Sequence, residues 1–444
     1  MIGLFFSRVL NLIRCEKDKY VLDEKKFVKK FKMIFDDFIF YILGNRGKTA
    51  VLELDDYFRI KYKDIRERIF MTTTKQNFSK RRMDIDPLFF KDANALSIKD
   101  LYSSKKYRLI KYKGFYLLII DGSQVKLPNT PQTREEFNVG LRALKETKTP
   151  KARISVMSDA KNEFIIDSEI SDLDIGESVL AFKHIEKADE IMDLSKSIVM
   201  FDRNYVSTEL IVQLLMKKSY FIFRLKSDTY IKERNLMKTD DEWININLNR
   251  NRTKSIKNEE TKEKAEELRS LNLRAVNILL KNGEIETLLT NLPEELATPD
   301  ELKDLYGERW QIEKGYDVLK NKLHIENFTG KKRITIEQDF YAEILMYNIL
   351  IEFKTKCNRE LWKNPQNNRY MYEYKVNVNV LAGKLKSSMY ELFLTPSKEE
   401  QQLIISEIHR IAKKNLIKVK NKPSTPRNKN PLANKYPYNN RKNF

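Results

Sequence analysis

Two short apolar runs, each closed by an aspartate, limit what this chain can fold into. Tyr116–Ile120 (YLLII) stops at Asp121-Gly122-Ser123, and Ser197–Phe201 (SIVMF) stops at Asp202. Runs this short, apolar at every position and bounded by turn residues, predict strands buried on both faces. Arg153–Met157 and Glu163–Ile170 predict two more strands, joined as a hairpin by the polar Ser158–Asn162. Gly176–Ala188 and Ser207–Lys217 carry helical apolar spacing, and Tyr220–Leu225 closes the series as a strand. This order of strands and helices specifies a mixed α/β sheet. Asp121 and Asp202 are then expected at carboxyl ends of strands, where open α/β sheets place their ligands. An aspartate at a strand end is, taken alone, often only a turn former.

The flanks read differently. Residues 1–110 are helical and basic in pattern. Lys25–Met33 puts Phe27, Val28 and Phe31 on one side among lysines. Thr72–Met83 (TTTKQNFSKRRM) offers a threonine cap, then Phe78 among Lys75, Lys80, Arg81 and Arg82. A small DNA-reading module has this pattern, and so does a solvated basic helix face. Residues 227–270 are polar and highly charged, whereas Leu273–Leu280 and Ile285–Leu292 flank Lys281-Asn282-Gly283-Glu284, a hairpin signal. A β-containing insertion at about 227–295 is therefore expected within the sheet domain. Pro299–Lys322 and Ile334–Phe353 predict helices, and Ile411–Phe444 carries ten Lys or Arg with no acid, as an extended basic arm would. The expected organisation is a helical DNA-binding domain at 1–110, a catalytic domain at 111–395, and a C-terminal helix and basic tail at 396–444.

Charge narrows the partner. Lys and Arg number 83 against 63 Asp and Glu, a net +20 that favours a polyanion. Two cysteines, Cys15 and Cys357, and three histidines supply neither a disulfide scaffold nor a Cys-rich zinc site. His184, His324 and His409 lack ligand-like spacing and read as structural. The apolar stretch Met1–Ile13 is broken by Arg8, and Phe38–Leu43 is six residues against the roughly 20 a bilayer span needs. No membrane partner is expected, and the chain reads as cytoplasmic and nucleoid-associated.

Leu305–Leu323 (LYGERWQIEKGYDVLKNKL) carries the chemistry. At about 100° per residue, Tyr306, Arg309, Glu313 and Lys320 fall within one arc of about 60°. The apolar stripe of Leu305, Ile312, Tyr316, Leu319 and Leu323 lies directly beside it. A carboxylate bordering the core is unusual for a merely solvated residue, although a salt-bridged surface helix has similar spacing. The two cations and the phenol are donor types that hold phosphate. Joined to the strand ends, Asp121, Asp202 and Glu313 can form a three-carboxylate site. Hard oxygen ligands select Mg²⁺ or Mn²⁺. Two such ions about 4 Å apart serve in-line phosphoryl displacement without any histidine.

Tyr306, Arg309, Glu313 and Lys320 stand as Y-x2-R-x3-E-x6-K, which resembles the signature of the DDE transposases of bacterial insertion sequences, the insertion-sequence-four family. Asp121-Gly122-Ser123 resembles that family's first catalytic block, and Phe201–Tyr205 (FDRNY) its second. Thr290–Leu292, the stretch after Lys320, and TKQNFSKRR near residue 75 are also similar. The resemblance covers roughly residues 70–350. It implies a ribonuclease H-like catalytic fold with a β-strand insertion before the glutamate. It implies cut-and-paste DNA transposition with two Mg²⁺, or Mn²⁺ in their place. Asp121, Asp202 and Glu313 match the metal-binding catalytic triad. Tyr306, Arg309 and Lys320 match residues that hold DNA phosphates near the cut. Trp310 matches a tryptophan placed to stack on a displaced base. The implied partners are double-stranded DNA, at the terminal inverted repeats and at the target, and a second copy of the chain on that DNA. Trp243, the one tryptophan of the insertion, receives no role.

Three rival functions share some of these features. A metal-dependent nuclease would cut and never join. A DNA-binding relic of a transposase would bind without cutting. A glycosidase with paired carboxylates gains no rationale from a charge of +20.

Overall fold

The computed structural model describes residues 3–27, 32–104, 106–139, 149–280, 283–362 and 373–419. By its internal contacts the chain forms two compact units. One gathers residues 1–90, 321–330 and 334–444, and the other residues 91–320 and 331–333. These limits differ from the boundaries at 110/111 and 395/396 read from the sequence, because residues 334–395 group with the N-terminal helices.

The second unit is built on one eight-stranded mixed sheet in the order β3-β2-β1-β4-β5-β8-β7-β6. Its first half comprises β1 (Tyr116–Lys126), β2 (Lys151–Asp159), β3 (Ile165–Ser171), β4 (Ser197–Phe201) and β5 (Tyr220–Arg224). β1, β2 and β3 form an antiparallel meander, and β4 and β5 run parallel to β1. This is the ribonuclease H-like order. Leu117–Ile120 and Ile198–Phe201 are fully buried, as their unbroken apolar pattern requires. Helices Glu177–Ile191 and Thr208–Met216 follow β3 and β4, capped by Gly176 and Ser207.

Three expectations need correction here. β1 does not stop at Asp121. It continues to Lys126 because β2 keeps pairing with it through Asp121↔Val156, Gly122↔Ser155 and Ser123↔Ile154. Its parallel pairing with β4 ends at Ile120↔Phe201, so Asp121 stands in mid-strand but level with the end of β4. Secondly, the charged stretch 227–270 holds β6 (Asp241–Asn247) and the helix Glu259–Leu268. With β7 (Ser270–Leu279) and β8 (Ile285–Thr290), β6 extends the main sheet, since β8 pairs with β5. Only Ile244 and Ile246 of β6 are buried, too few to betray a period of two. Of the expected β7–β8 turn, Gly283 takes φ +83°, a conformation suited to glycine, while Lys281 and Asn282 lie outside the described residues.

Thirdly, Pro299–Lys322 is not one α-helix. The segment Pro299–Gly307 begins with Thr298 and Glu301 capping each other reciprocally and Pro299 in the first turn. A 3₁₀ turn at Glu308–Trp310 follows Gly307, and the α-helix resumes as Gln311–Asn321. A 3₁₀ turn advances about 120° per residue, so a single helical wheel cannot span the signature. Lys161 of the β2–β3 hairpin holds Glu308 of the turn at 2.7 Å.

The first unit is helical with an aromatic core. Helices Phe35–Leu43, Ala50–Lys61, Lys75–Arg82 and Val378–Leu394 meet through rings. Phe38 stacks on Phe78 at 5.1 Å, Phe40 on Phe393 at 4.6 Å, and Tyr57 meets Tyr390 edge-on at 5.2 Å. The helix expected at Ile334–Phe353 runs longer, Arg333–Trp362. Within Lys25–Met33 the described residues are not helical; Phe27 takes φ +57°, and Val28 to Phe31 lie outside them. The basic arm lies outside them from residue 420 onward. No helix among the described residues is long and apolar enough to cross a membrane.

Candidate active site

Asp121 is three-quarters buried beside the end of β4. The Gly122 N–H donates to its Oδ1 at 2.9 Å, and the Tyr316 hydroxyl donates to its backbone oxygen at 2.7 Å. Burial pushes its carboxyl up to about 6, with the Arg309 charge and the Gly122 N–H pulling the other way. Asp202 follows β4 directly and is partly buried. Glu313 lies in the first turn of the Gln311–Asn321 helix and is partly buried.

Arg309 stands among all three acids. Its guanidinium is 12% exposed and lies 3.8 Å from Asp121 Oδ2. It also feels the charges of Asp202 and Glu313 and the ring of Tyr306, 5.8 Å away. It makes no hydrogen bond among the described residues. Tyr306 is buried, and its hydroxyl has no hydrogen-bond partner among the described residues. Lys320 Nζ donates to Ser123 Oγ at 2.7 Å and to the Gln124 backbone oxygen at 2.9 Å, tying the helix to β1. Trp310 is 48% exposed on the 3₁₀ turn. The sheet and the signature segment thus bring Asp121, Asp202, Tyr306, Arg309 and Glu313 to one place, with Lys320 alongside.

Several residues of this site escaped the sequence reading. Glu177, first in its helix, sits beside Asp121 and accepts a hydrogen bond from Arg153 of β2 at 2.6 Å. Tyr205 is buried, its hydroxyl has no partner among the described residues, and it feels Asp121, Glu177 and Asp202. Glu286 of β8 is pushed up by burial, faces Arg224 at 3.4 Å and feels Arg309 and Asp202. The only local signals for these residues were the glycine before Glu177 and the FDRNY block around Tyr205.

The donor set suits a hard cation. It is all oxygen, it is acidic, and beside it two buried hydroxyls lack partners among the described residues. Among the described residues, no group of three or more His, Cys, Asp or Glu is close enough to enclose a metal ion. Asp121, Asp202 and Glu313 are instead ranged about Arg309. The expected structural histidine is clear at His184, buried between Asp167 at 2.6 Å and Ser155 at 3.0 Å.

Residues 112–349 match the protein family described as "Transposase DDE domain". Over 245 residues, 53% of this chain, the sequence is 22% identical to the transposase InsG for insertion sequence element IS4 of Escherichia coli strain K12. That match covers 52% of the relative, so the chain spans about half its length. A structure of piggyBac transposase, in a synaptic complex with hairpin DNA, aligns with 91% of this chain and 84% of its own. Its TM-score is 0.43 at 13% identity.

Proposed function

The chain belongs to the DDE transposase family, and on that premise we propose that it is the DNA transposase of an insertion sequence, cutting at the element's ends and joining them to target DNA. The observation that carries this reading is the convergence of Asp121, Asp202 and Glu313 about Arg309 in a chain of net charge +20.

Asp121, Asp202 and Glu313 would hold divalent cations, two Mg²⁺ or their Mn²⁺ equivalents. When bound there, such ions activate an attacking oxygen and neutralise a leaving one in phosphoryl displacement. The protein's own part is placement and charge. Tyr316 and Lys320 fasten the signature helix to β1, so Asp121 and Glu313 keep their spacing. Arg309, whose guanidinium makes no hydrogen bond among the described residues, offsets phosphate charge at the cut and contributes donors fixed before the reaction. Lys320 adds a second cation, and the unpartnered Tyr306 hydroxyl adds a donor. Trp310, exposed beside Arg309, offers a ring on which an extruded base can stack. The same machinery serves first water and then the freed 3′-hydroxyl as nucleophile. Both ends must be held together, so the partners are the terminal inverted repeats, the target duplex and a second copy of the chain, in the cytoplasm at the nucleoid. The basic helices of residues 1–90 are assigned to end binding.

The test is cleavage of DNA bearing the inverted repeats that flank the gene, with purified protein and Mg²⁺, beside Glu313→Gln. Metal-dependent cuts at the repeat ends, followed by strand-transfer products, are expected from the native chain. The variant should bind the ends and leave them whole. Cuts without joined products would make the protein a nuclease, and binding without cuts in Mg²⁺ or Mn²⁺ would make it a DNA-binding relic.

A further inference from the structure

Glu177 lies outside the three-acid set, yet the fold delivers it to the same place. It opens the helix after β3, and its side chain does not cap that helix. Instead it reaches across the sheet. Arg153 Nη1 holds its Oε1 at 2.6 Å, and Oε2 accepts no hydrogen bond among the described residues. A Cβ on Gly122 would stand 3.1 Å from the same Oε1, so the carboxylate presses on the residue next to Asp121. That close approach gives Gly122 a reason to be glycine. The Asp121 carboxylate feels the Glu177 charge directly.

Tyr205 supplies an independent observation. Its side chain is 1% exposed, and its hydroxyl has no partner among the described residues. After burial, the charges that bear on it most are Asp121 and then Glu177. A buried hydroxyl left unsatisfied among the described residues, within electrostatic reach of two carboxylates, calls for an additional polar group at that point. Arg153 orients Glu177 through its Oε1, and a fixed carboxylate oxygen is a donor suited to a hard cation.

We propose that Glu177 is a fourth carboxylate of the reaction centre, sharing with Asp121 in holding a divalent cation, while the Tyr205 hydroxyl donates to the oxygens around that cation. This rests on the reading of Asp121 as a metal-holding residue. The assignment gives the helix after β3 a role in the centre alongside β1, β4 and the signature helix.

The experiment is Mn²⁺ binding by the full-length protein, followed by calorimetry and by the electron paramagnetic resonance of the ion, without DNA cleavage as a readout. Native chain, Glu177→Gln, Glu177→Asp, Tyr205→Phe and Asp121→Asn are compared, with thermal unfolding measured for each. Glu177→Gln should weaken Mn²⁺ binding about 10- to 100-fold, the range for groups that support a metal site. Glu177→Asp should recover part of that loss. Mn²⁺ affinity within two-fold of native in Glu177→Gln, with Asp121→Asn impaired, overturns the role of Glu177 and leaves the transposase reading standing. Native affinity in Asp121→Asn overturns the metal-holding role of Asp121, and this inference with it. Should Glu177→Gln unfold, Tyr205→Phe decides, because a weakened Mn²⁺ affinity supports the proposal and an unchanged one overturns it. Fe²⁺ with ascorbate and peroxide gives a check in the native fold, since radical cuts in the backbone near residues 121 and 202 should be matched near 177. Their absence at 177 counts against Glu177.

Discussion

Arg82 and Arg309 both come from cation-rich motifs and both are largely buried, yet the fold treats them in opposite ways. Arg82 ends a basic helix that reads in sequence like a DNA-contacting surface. Its guanidinium instead turns inward within the helical unit and is 3% exposed. It donates to Gln338 at 2.6 Å, Thr329 at 2.5 Å, Asp339 at 2.5 Å and the Thr335 backbone oxygen at 3.1 Å. Gln338 returns hydrogen bonds to the carbonyls of Arg82 and Ile85. Arg309, in the sheet unit, has three acids around it and, among the described residues, one ion pair at 3.8 Å. A guanidinium with its donors consumed holds structure. One held in position by charge with its donors unspent is fit to take a ligand.

The largest effect expected is at Arg82. Arg82→Ala leaves the Asp339 carboxylate, which is 12% exposed, without its ion pair. Breaking a buried pair on one side costs about 3–5 kcal/mol. Thermal unfolding of the full chain should shift accordingly, and any loss of end binding should follow the loss of fold. If Arg82→Ala unfolds like the native chain and binds DNA less tightly, the contrast between the two arginines is broken.

Arg309→Ala should do the reverse. Removing a preplaced donor to a developing charge costs about 10²- to 10³-fold in rate. Cleavage at the repeat ends should fall by that order, with the unfolding temperature nearly unchanged. Arg309→Lys should recover little, because a point charge lacks the planar fork. A large drop in unfolding temperature for Arg309→Ala would make this arginine structural too.

What the sequence could and could not disclose follows from how far each constraint reaches. β4 lies where its apolar run placed it, Ser197–Phe201, and Asp202 follows at its end. Helix starts at Gly176 and Ser207 were legible because capping is local. The extension of β1 through Asp121 was not, since it depends on pairing with β2, more than 30 residues away in the chain. The direction of Arg82 was equally hidden, because its partners lie about 250 residues on. Tyr306 and Glu313 do lie within electrostatic reach of Arg309, although the wheel that grouped the three assumed one continuous helix. The 3₁₀ turn after Gly307 breaks that period, and Glu177 had no periodicity to announce it.

A third buried basic residue, a histidine, extends the comparison within the helical unit. His409 is 9% exposed and packs on Phe353 with ring centroids 5.2 Å apart. Burial first, then the nearby Lys356 charge, lowers its pKa from 6.5 to about 4. The unfolded chain therefore binds the proton more readily, and the stability from neutral His409 is whole above about 6.5 and lost as pH falls toward 4. At pH 5 the loss is about 2 kcal/mol. His409→Leu should flatten the difference between unfolding at pH 7 and at pH 5. An unchanged difference would remove His409 from the acid limb.

The finest test separates stability from function inside the site. The buried Tyr306 hydroxyl has no partner among the described residues, so it bears a desolvation cost that none of their hydrogen bonds offsets. Tyr306→Phe keeps the ring beside Arg309 and removes only that group. The variant should be as stable as the native chain or more so, by about 1 kcal/mol at most. If the hydroxyl is kept for phosphate, DNA cleavage should nonetheless weaken, by roughly ten-fold for the loss of one hydrogen bond of about 1.5 kcal/mol to a charged group. Stability and cleavage then move in opposite directions at a single oxygen atom. A gain in stability with cleavage unchanged would mean that the unsatisfied hydroxyl serves nothing at this step, and Arg309 and Lys320 would carry the signature's claim on the phosphate without it.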